Sequence, residues 1–258
     1  MNAPPLVFIT GASSGIGQAL AARCAAAGWR LALVARRTAA LQAWAAAQGL
    51  GAERCGIYVA DVMVTDSIVQ AGQDCITRQG LPDVVIACAG VSIGMDTAER
   101  ADLEVMSDMF ALNNVGLAAT FHPFVRAMRE RGSGTLVGVA SVSAIRGLPG
   151  HGAYCASKAG VVAYCESLRV ECRGEGVNVV TLVPGYVATL LTAGNPYRMP
   201  FLMAPEAFAE RAFRAIQAGR SYVVIPWQMG VVAKLLRLLP NAVYDRLLAR
   251  RGRKPRRT

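Results

Sequence analysis

Leu6-Val7-Phe8-Ile9-Thr10-Gly11-Ala12-Ser13-Ser14-Gly15-Ile16-Gly17 is the stretch on which the reading of this chain turns. Its first four residues form an apolar run of strand length, suited to burial on both faces. From residue 18 to 27 an Ala-rich stretch reads as a helix, with Gly28 as its stop. Between the two lies a glycine-rich turn. Glycines at 11, 15 and 17 permit a tight bend and a close approach of the backbone to a pyrophosphate. The helix that follows presents free N–H groups to such an anion. The spacing is Gly-x-x-x-Gly-x-Gly rather than Gly-x-Gly-x-x-Gly, and any strand–helix turn can carry glycines. Its place in the first βα turn gives it weight.

Downstream, the same alternation repeats. Apolar runs at 31–35, 56–60, 83–88, 135–140, 177–183 and 222–225 read as strands. Helical stretches are predicted from a Thr38 cap to 48, over 65–79, 100–131 with a break near Pro123, 152–173 and 205–218. Near-continuous apolar strands alternating with amphipathic helices predict an α/β fold. It is a doubly wound, Rossmann-type, mostly parallel seven-stranded sheet with helices on both faces. No Gly/Ser or Pro run divides the 258 residues. Residues 1–226 are therefore read as one dinucleotide-binding and catalytic domain, and 227–258 as a helical appendage with a basic tail.

Hydrophobic residues make up 53% of the chain and charged residues 17%, which excludes a disordered protein. Residues 1–5 carry no basic n-region and 6–10 are too short for a signal core. Seven scattered cysteines without a Cys-x-x-Cys pair argue against a disulfide framework or zinc site, and for a reducing cytoplasm. His122 and His151 are too far apart to form a metal motif, so no metal is expected. The net charge of +10 is uneven: residues 246–258 hold seven basic residues and no acid, leaving 20 basic against 17 acidic elsewhere.

The second strand runs into Arg36 and Arg37. A carboxylate about 20 residues past the glycines is the usual partner of an NAD ribose. Here the first acidic residue in the chain is Glu53. The two arginines instead offer planar donors suited to a 2′-phosphate, which favours NADP over NAD. Farther on, Tyr154 and Lys158 lie four residues apart and share a helix face. A nearby ammonium stabilises a phenolate and brings a tyrosine closer to proton exchange at neutral pH. Ser141 ends the fifth strand, where open α/β sheets bind ligands.

Together these motifs resemble the short-chain dehydrogenase/reductase family over residues 6 to about 226. Gly11, Ser13, Ser14, Gly15, Ile16 and Gly17 match its cofactor loop. Asn113-Asn114-Val115-Gly116 fits its Asn-x-x-Gly pattern, and Ser141, Tyr154 and Lys158 match its Ser, Tyr and Lys in order and spacing. Asp61 and Val62 resemble the pair beside adenine. Ala89 and Gly90 follow the fourth strand. Pro184-Gly185-Tyr186-Val187-Ala188-Thr189 resembles the segment around the nicotinamide. The resemblance implies NADP(H)-dependent hydride transfer between nicotinamide and a carbonyl or secondary alcohol. It implies Tyr154 as general acid/base, Lys158 lowering its pKa and holding the ribose, and Ser141 on the carbonyl. It further implies Asn113 holding a relay water and Thr189 on the carboxamide. Ala87-Cys88-Ala89-Gly90 departs from the family's Asn-Asn-Ala-Gly, which puts the hydrogen bonding there in doubt; Cys88 reads as a buried small hydrophobe.

Three segments should shape the substrate pocket: those after Gly90, between Ser141 and Tyr154, and after Thr189. Their Ile93, Met95, Ile145, Leu148, Tyr186, Tyr197, Met199, Phe201, Leu202 and Met203 suggest a hydrophobic carbonyl substrate. His151 reads as a satisfied surface histidine and Arg198 as an exposed arginine. Ser143 and Asn114 are the rivals of Ser141 and Asn113. Residues 227–239 and 241–250 read as helices on the body or on a second subunit, with a disordered tail; peripheral membrane contact is the less favoured reading. A homodimer is expected, with a tetramer as the alternative. A silent dinucleotide sensor, a nucleic-acid binder using the basic tail, and an epimerase or dehydratase are the rival functions. The intact Ser141, Tyr154 and Lys158 set weighs against the first, and the body carries no aromatic-interleaved basic surface for the second.

Overall fold

The computed structural model describes residues 3–249 and 252–256. Met1 and Asn2, and Arg250, Arg251 and Arg257 of the basic run, lie outside the described residues. Seven strands are present: β1 Leu6–Thr10, β2 Arg30–Ala35, β3 Cys55–Val59, β4 Val84–Ala87, β5 Gly134–Val139, β6 Val177–Pro184 and β7 Tyr222–Ile225. They form one sheet in the order β3-β2-β1-β4-β5-β6-β7. Every neighbouring pair is parallel. The order reverses between β1 and β4, so a crevice opens at their carboxyl ends.

Alternation of side chains along β1 explains why both faces are covered. Val7 and Ile9 point to the cluster that contains Leu20 of helix α1 (Gly15–Ala26) and Phe208 of α8 (Pro205–Gln217). Leu6 and Phe8 point to the other cluster. There they meet Ile68 of α3 (Thr65–Gln79), Phe124 of α5 (Gly116–Arg131) and Val161 of α6 (Gly152–Glu171). All four β1 residues are fully buried. A buried Phe or Leu contributes about 1.5–3 kcal/mol relative to exposure, so this strand is a strong anchor.

Two helical expectations are corrected. The single helix over 100–131 is α4 (Asp102–Phe110), a π-helical turn at Ala111–Val115, and then α5. The interruption is at this wide turn and not at Pro123, which sits inside α5 with its ring against Gly72 of α3. A π turn inserts one extra residue and re-aims side chains, often at functional sites. Thr38 takes the N-cap position of α2 (Ala39–Ala47), but its hydroxyl makes no cap hydrogen bond. A short α7 (Leu190–Ala193) was not expected, because four residues cannot show a helical period. It begins at a reciprocal Thr189–Thr192 capping box.

After β7 come α9 (Trp227–Leu238) and α10 (Asn241–Leu248). They pack on the body. Arg146 donates to the Leu239 carbonyl at 2.8 Å and the Asn241 Oδ1 at 3.0 Å, and stacks 3.7 Å over the Tyr244 ring. Tyr244 donates its hydroxyl to the Gly147 carbonyl. These two helices therefore brace the loop that follows Ser141. Among the described residues, no helix is long and apolar enough to cross a membrane.

Packing in the first turn leaves no room for a side chain. A Cβ at Gly17 would sit 2.3 Å from the Gly11 carbonyl oxygen, a backbone atom that cannot swing aside. Gly17→Ala is expected to lower unfolding free energy by about 1–3 kcal/mol. Chemical denaturation reads this as an earlier midpoint at unchanged slope.

Candidate active site

One cavity of about 390 Å³ occupies the crevice between β1 and β4 and continues over the end of β5. Its floor is the glycine turn. Gly11 has a φ of +67°, and a Cβ there would lie 2.8 Å from the Ala89 Cα. Glycine is thus required both by conformation and by contact. Ser14 caps α1 in extended conformation without a side-chain cap bond. The first N–H groups of that helix are left to whatever enters the cavity.

Ala87-Cys88-Ala89-Gly90, the departure that left local bonding in doubt, is tied by a neighbouring strand. The Thr10 Oγ1 accepts from the Cys88 N–H at 3.2 Å and the Ala89 N–H at 3.3 Å. Cys88 is not fully buried as the sequence suggested: it is partly exposed and lines the cavity, and desolvation pushes its thiol up to about 12.

Ser141, Tyr154 and Lys158 converge on one wall. Ser141 is the N-cap of a short 3₁₀ turn, Val142–Ala144, and its Oγ accepts from the Ser143 N–H at 3.2 Å. Desolvation pushes Tyr154 up to about 12, and the neighbouring Ser141 hydroxyl partly opposes this. Lys158, one helical turn on, is 5% exposed and donates to the Val139 carbonyl at 2.8 Å. Desolvation pulls it down to about 8.

Nearly all of the residues singled out from sequence line this cavity: Gly11, Ser13 to Gly17, Arg36, Asp61, Val62, Ala89, Gly90, Ser141, Tyr154, Lys158, Pro184, Gly185, Val187 and Thr189. Arg37 does not; it is exposed. Arg36 is exposed at the cavity edge, with Asp61 3.7 Å away. Asn113 is also absent from the lining and lies behind the wall. The Val91 N–H donates to its Oδ1 at 3.0 Å. Its Nδ2 donates to the Val91 carbonyl at 3.1 Å and the Ser157 Oγ at 2.9 Å. Both donor hydrogens of the amide are thereby spent on protein. Asn114 donates to the Ser157 carbonyl at 2.8 Å.

The substrate end differs from the apolar inventory read in the sequence. Of those ten side chains, Leu148, Tyr186 and Tyr197 line the cavity. Met95 is buried, with its sulfur accepting from the Ala153 N–H, and Met203 packs on the core and pairs with the 186–188 segment. Arg198 is exposed and off the lining, as expected of it. His151 is not a surface histidine: it is 3% exposed, lines the cavity, and its Nε2 lies 2.9 Å from the Tyr197 hydroxyl. Ser92, Asn195 and Lys254 line it as well and carried no sequence signal. The tail is a further correction. Residues 252–256 are seated against the body rather than disordered.

A parallel sheet with a glycine turn at its switch point, and a Ser–Tyr–Lys wall facing it, defines a dinucleotide-dependent oxidoreductase scaffold. The family model for short chain dehydrogenase matches residues 5–197, and the chain belongs to the short-chain dehydrogenase/reductase family. It is 39% identical over 241 residues to an "Uncharacterized oxidoreductase" of Myxococcus xanthus, covering 92% of this chain and 94% of that one. It is 35% identical to a sulfoacetaldehyde reductase of Chromohalobacter salexigens, covering 80% and 86%. Among solved structures, a Thermococcus sibiricus alcohol dehydrogenase complexed with 5-hydroxy-NADP superposes with a TM-score of 0.76 at 26% identity. That match covers 86% of this chain and 96% of the other.

Asn113→Ala would strip partners from the Val91 backbone and the Ser157 hydroxyl. An unsatisfied buried group costs about 1–3 kcal/mol, so the variant should unfold at lower denaturant by at least that amount. A near wild-type midpoint would remove Asn113 from the frame of the site.

Proposed function

We propose that this oxidoreductase uses NADP(H) to interconvert a carbonyl and its alcohol, with Tyr154 as general acid/base. The observation that carries the reading is Tyr154 in the wall of the cavity, with Ser141 beside it and Lys158 one turn on, next to the glycine loop. A nicotinamide dinucleotide bound there supplies or accepts the hydride. The Gly11–Gly17 turn and the open end of α1 would hold its diphosphate. Asp61 and Val62 would flank adenine, and Thr189 the carboxamide. Arg36 is the residue suited to a 2′-phosphate: it stands exposed at the cavity edge, in an exposed ion pair with Asp61 at 3.7 Å that an arriving phosphate can replace. Arg37 is left without a part in this reading.

In reduction, Ser141 would donate to the carbonyl oxygen and Tyr154 would pass its proton to that oxygen as it becomes an alkoxide. In oxidation the phenolate takes the proton back. Lys158 holds a positive charge near this pair and would bind the ribose. Asn113 enters as a positioning residue that fixes α6 to the loop after β4. Residues 1–226 would form the catalytic unit and 227–258 its brace. A homodimer on α5 and α6, in a reducing cytoplasm, is our reading of the assembly; exposed Val115 and Val170 and seven free cysteines support it. The described part of the basic tail is engaged with Asp96, Glu99, Asp102 and Asn195, which weakens the nucleic-acid reading.

Tyr154→Phe should cut kcat/KM for NADPH-dependent carbonyl reduction by at least about 100-fold, the usual range for a lost general acid. Retained activity would overturn the assignment, and binding without turnover on any carbonyl would favour a sensor. The pH profile follows from the two shifted groups. Tyr154 keeps its proton through pH 6–9, so reduction has its acid throughout. Oxidation needs the phenolate, whose fraction rises about tenfold per pH unit below the tyrosine's pKa. Lys158 is charged below about 8 and neutral above, so the rise should flatten beyond that point. Arg36→Ala should raise the KM for NADPH about tenfold or more while leaving that for NADH nearly unchanged. An equal rise for both would return the choice of nucleotide to NAD.

A further inference from the structure

Residues 252–256 cross the substrate side of the cavity as an extended strap. The Gly94 N–H donates to the Pro255 carbonyl at 2.9 Å, and Gly94 pairs with Arg256 in a parallel bridge. Arg253 reaches the Asp96 carboxylate at 3.0 Å. Arg256 grips Asp102 with two donors, Nε at 2.6 Å and Nη2 at 3.2 Å. Asp102 is 1% exposed and also accepts from the Asp96 N–H at 2.7 Å. A carboxylate buried this fully needs its cation, so the contact is an anchor rather than a surface pair. Fit confirms the seat. A Cβ at Gly94 would lie 2.1 Å from the Lys254 carbonyl oxygen, and one at Gly150 would lie 2.9 Å from the Arg253 Cβ. The strap therefore rests on the loops after β4 and β5, the two that flank Ser141 and Tyr154.

Anchored on both sides, Lys254 turns its side chain into the cavity lining. Its ammonium donates to the Leu191 carbonyl at 2.9 Å and to the Asn195 Oδ1 at 3.0 Å. Both are neutral acceptors. An ammonium carries three donors, so among the described residues one donor has no protein partner and no carboxylate pairs with the charge. The acids nearest the strap, Asp96, Glu99 and Asp102, are taken by Arg253 and Arg256. Partial burial lowers the lysine's pKa, a cost that an arriving anion would relieve. The same cavity is lined by the polar side chains of Ser92, Ser143 and the His151–Tyr197 pair.

We propose that Lys254 receives an anionic group, of the carboxylate kind, carried by the carbonyl substrate at the end remote from its reacting carbon. The strap is then a third wall of the substrate site, and the substrate is a polar oxo acid rather than a wholly apolar ketone. The inference rests on the reductase reading above.

The test compares straight-chain ω-oxo acids of three to six carbons with their methyl esters, following NADPH consumption by the full chain. For at least one length, kcat/KM for the acid should exceed that for the ester about tenfold, as a charge-assisted hydrogen bond warrants. Lys254→Met should bring that ratio close to one, and Lys254→Arg should keep most of it. Esters reduced as well as acids at every length would overturn the inference, as would a preference that survives Lys254→Met. If no carbonyl consumes NADPH, the reductase reading fails on its own. Calorimetry with succinate then decides this one: binding weakened about tenfold in Lys254→Met sustains it, and equal or absent binding overturns it.

Discussion

Backbone lies against backbone where β1 hands over to α1, and the rest of the site follows from that contact. Gly17 lets α1 close on the Gly11 carbonyl, and Gly11 lets the turn close on Ala89 at the end of β4. A side chain at either place would push the helix from the sheet or the turn from the neighbouring strand. With both absent, the crevice at the switch point keeps its narrow floor, and the start of α1 aims into it. Thr10 completes the seam by accepting two N–H groups from the chain that leaves β4. Two strands adjacent in the sheet but far apart in sequence are thereby held at one spacing.

Onto this floor the fold brings a wall whose chemistry depends on burial. Tyr154 and Lys158 lie on one face of α6, drawn against the sheet because Gly138 leaves room for the helix side chain of Cys165. Dehydration moves the two groups in opposite senses, the tyrosine up and the lysine down, and each shift disfavours the charged form. A pair so placed favours proton transfer to a substrate oxygen over a standing phenolate. The π turn at Ala111–Val115 then sets Asn113 behind this wall, where its amide clamps the loop after β4 to Ser157.

The fold was largely readable from residue patterns, because seven apolar runs of strand length and the helices between them carry their own periodicity. The cavity lining was equally open to reading where a motif occupies consecutive positions, as in the glycine turn and the Pro184–Thr189 segment. What escaped was whatever depends on distant segments meeting. The π turn has no signature in Ala111-Leu112-Asn113-Asn114-Val115, and the bonds that Asn113 makes there reach Val91 and Ser157, far along the chain. His151 looks like any loop histidine until Tyr197 is folded beside it. The basic run near residue 250 reads as a disordered tail until Asp102, 154 residues before Arg256, is found buried against its guanidinium. Met95 and Met203 looked like pocket residues because they fall in pocket-forming segments, yet their side chains turn to the packed interior.

Hydride delivery to a carbonyl at the Ser141–Tyr154–Lys158 wall can be followed by isotope transfer. The protein would be supplied separately with each of the two C4-deuterated epimers of NADPH and a reducible carbonyl, and the alcohol analysed by NMR. One deuteron is expected on the carbinol carbon from one epimer and none from the other. Deuterium retained on the nicotinamide with both epimers, or scrambled into solvent, would contradict it.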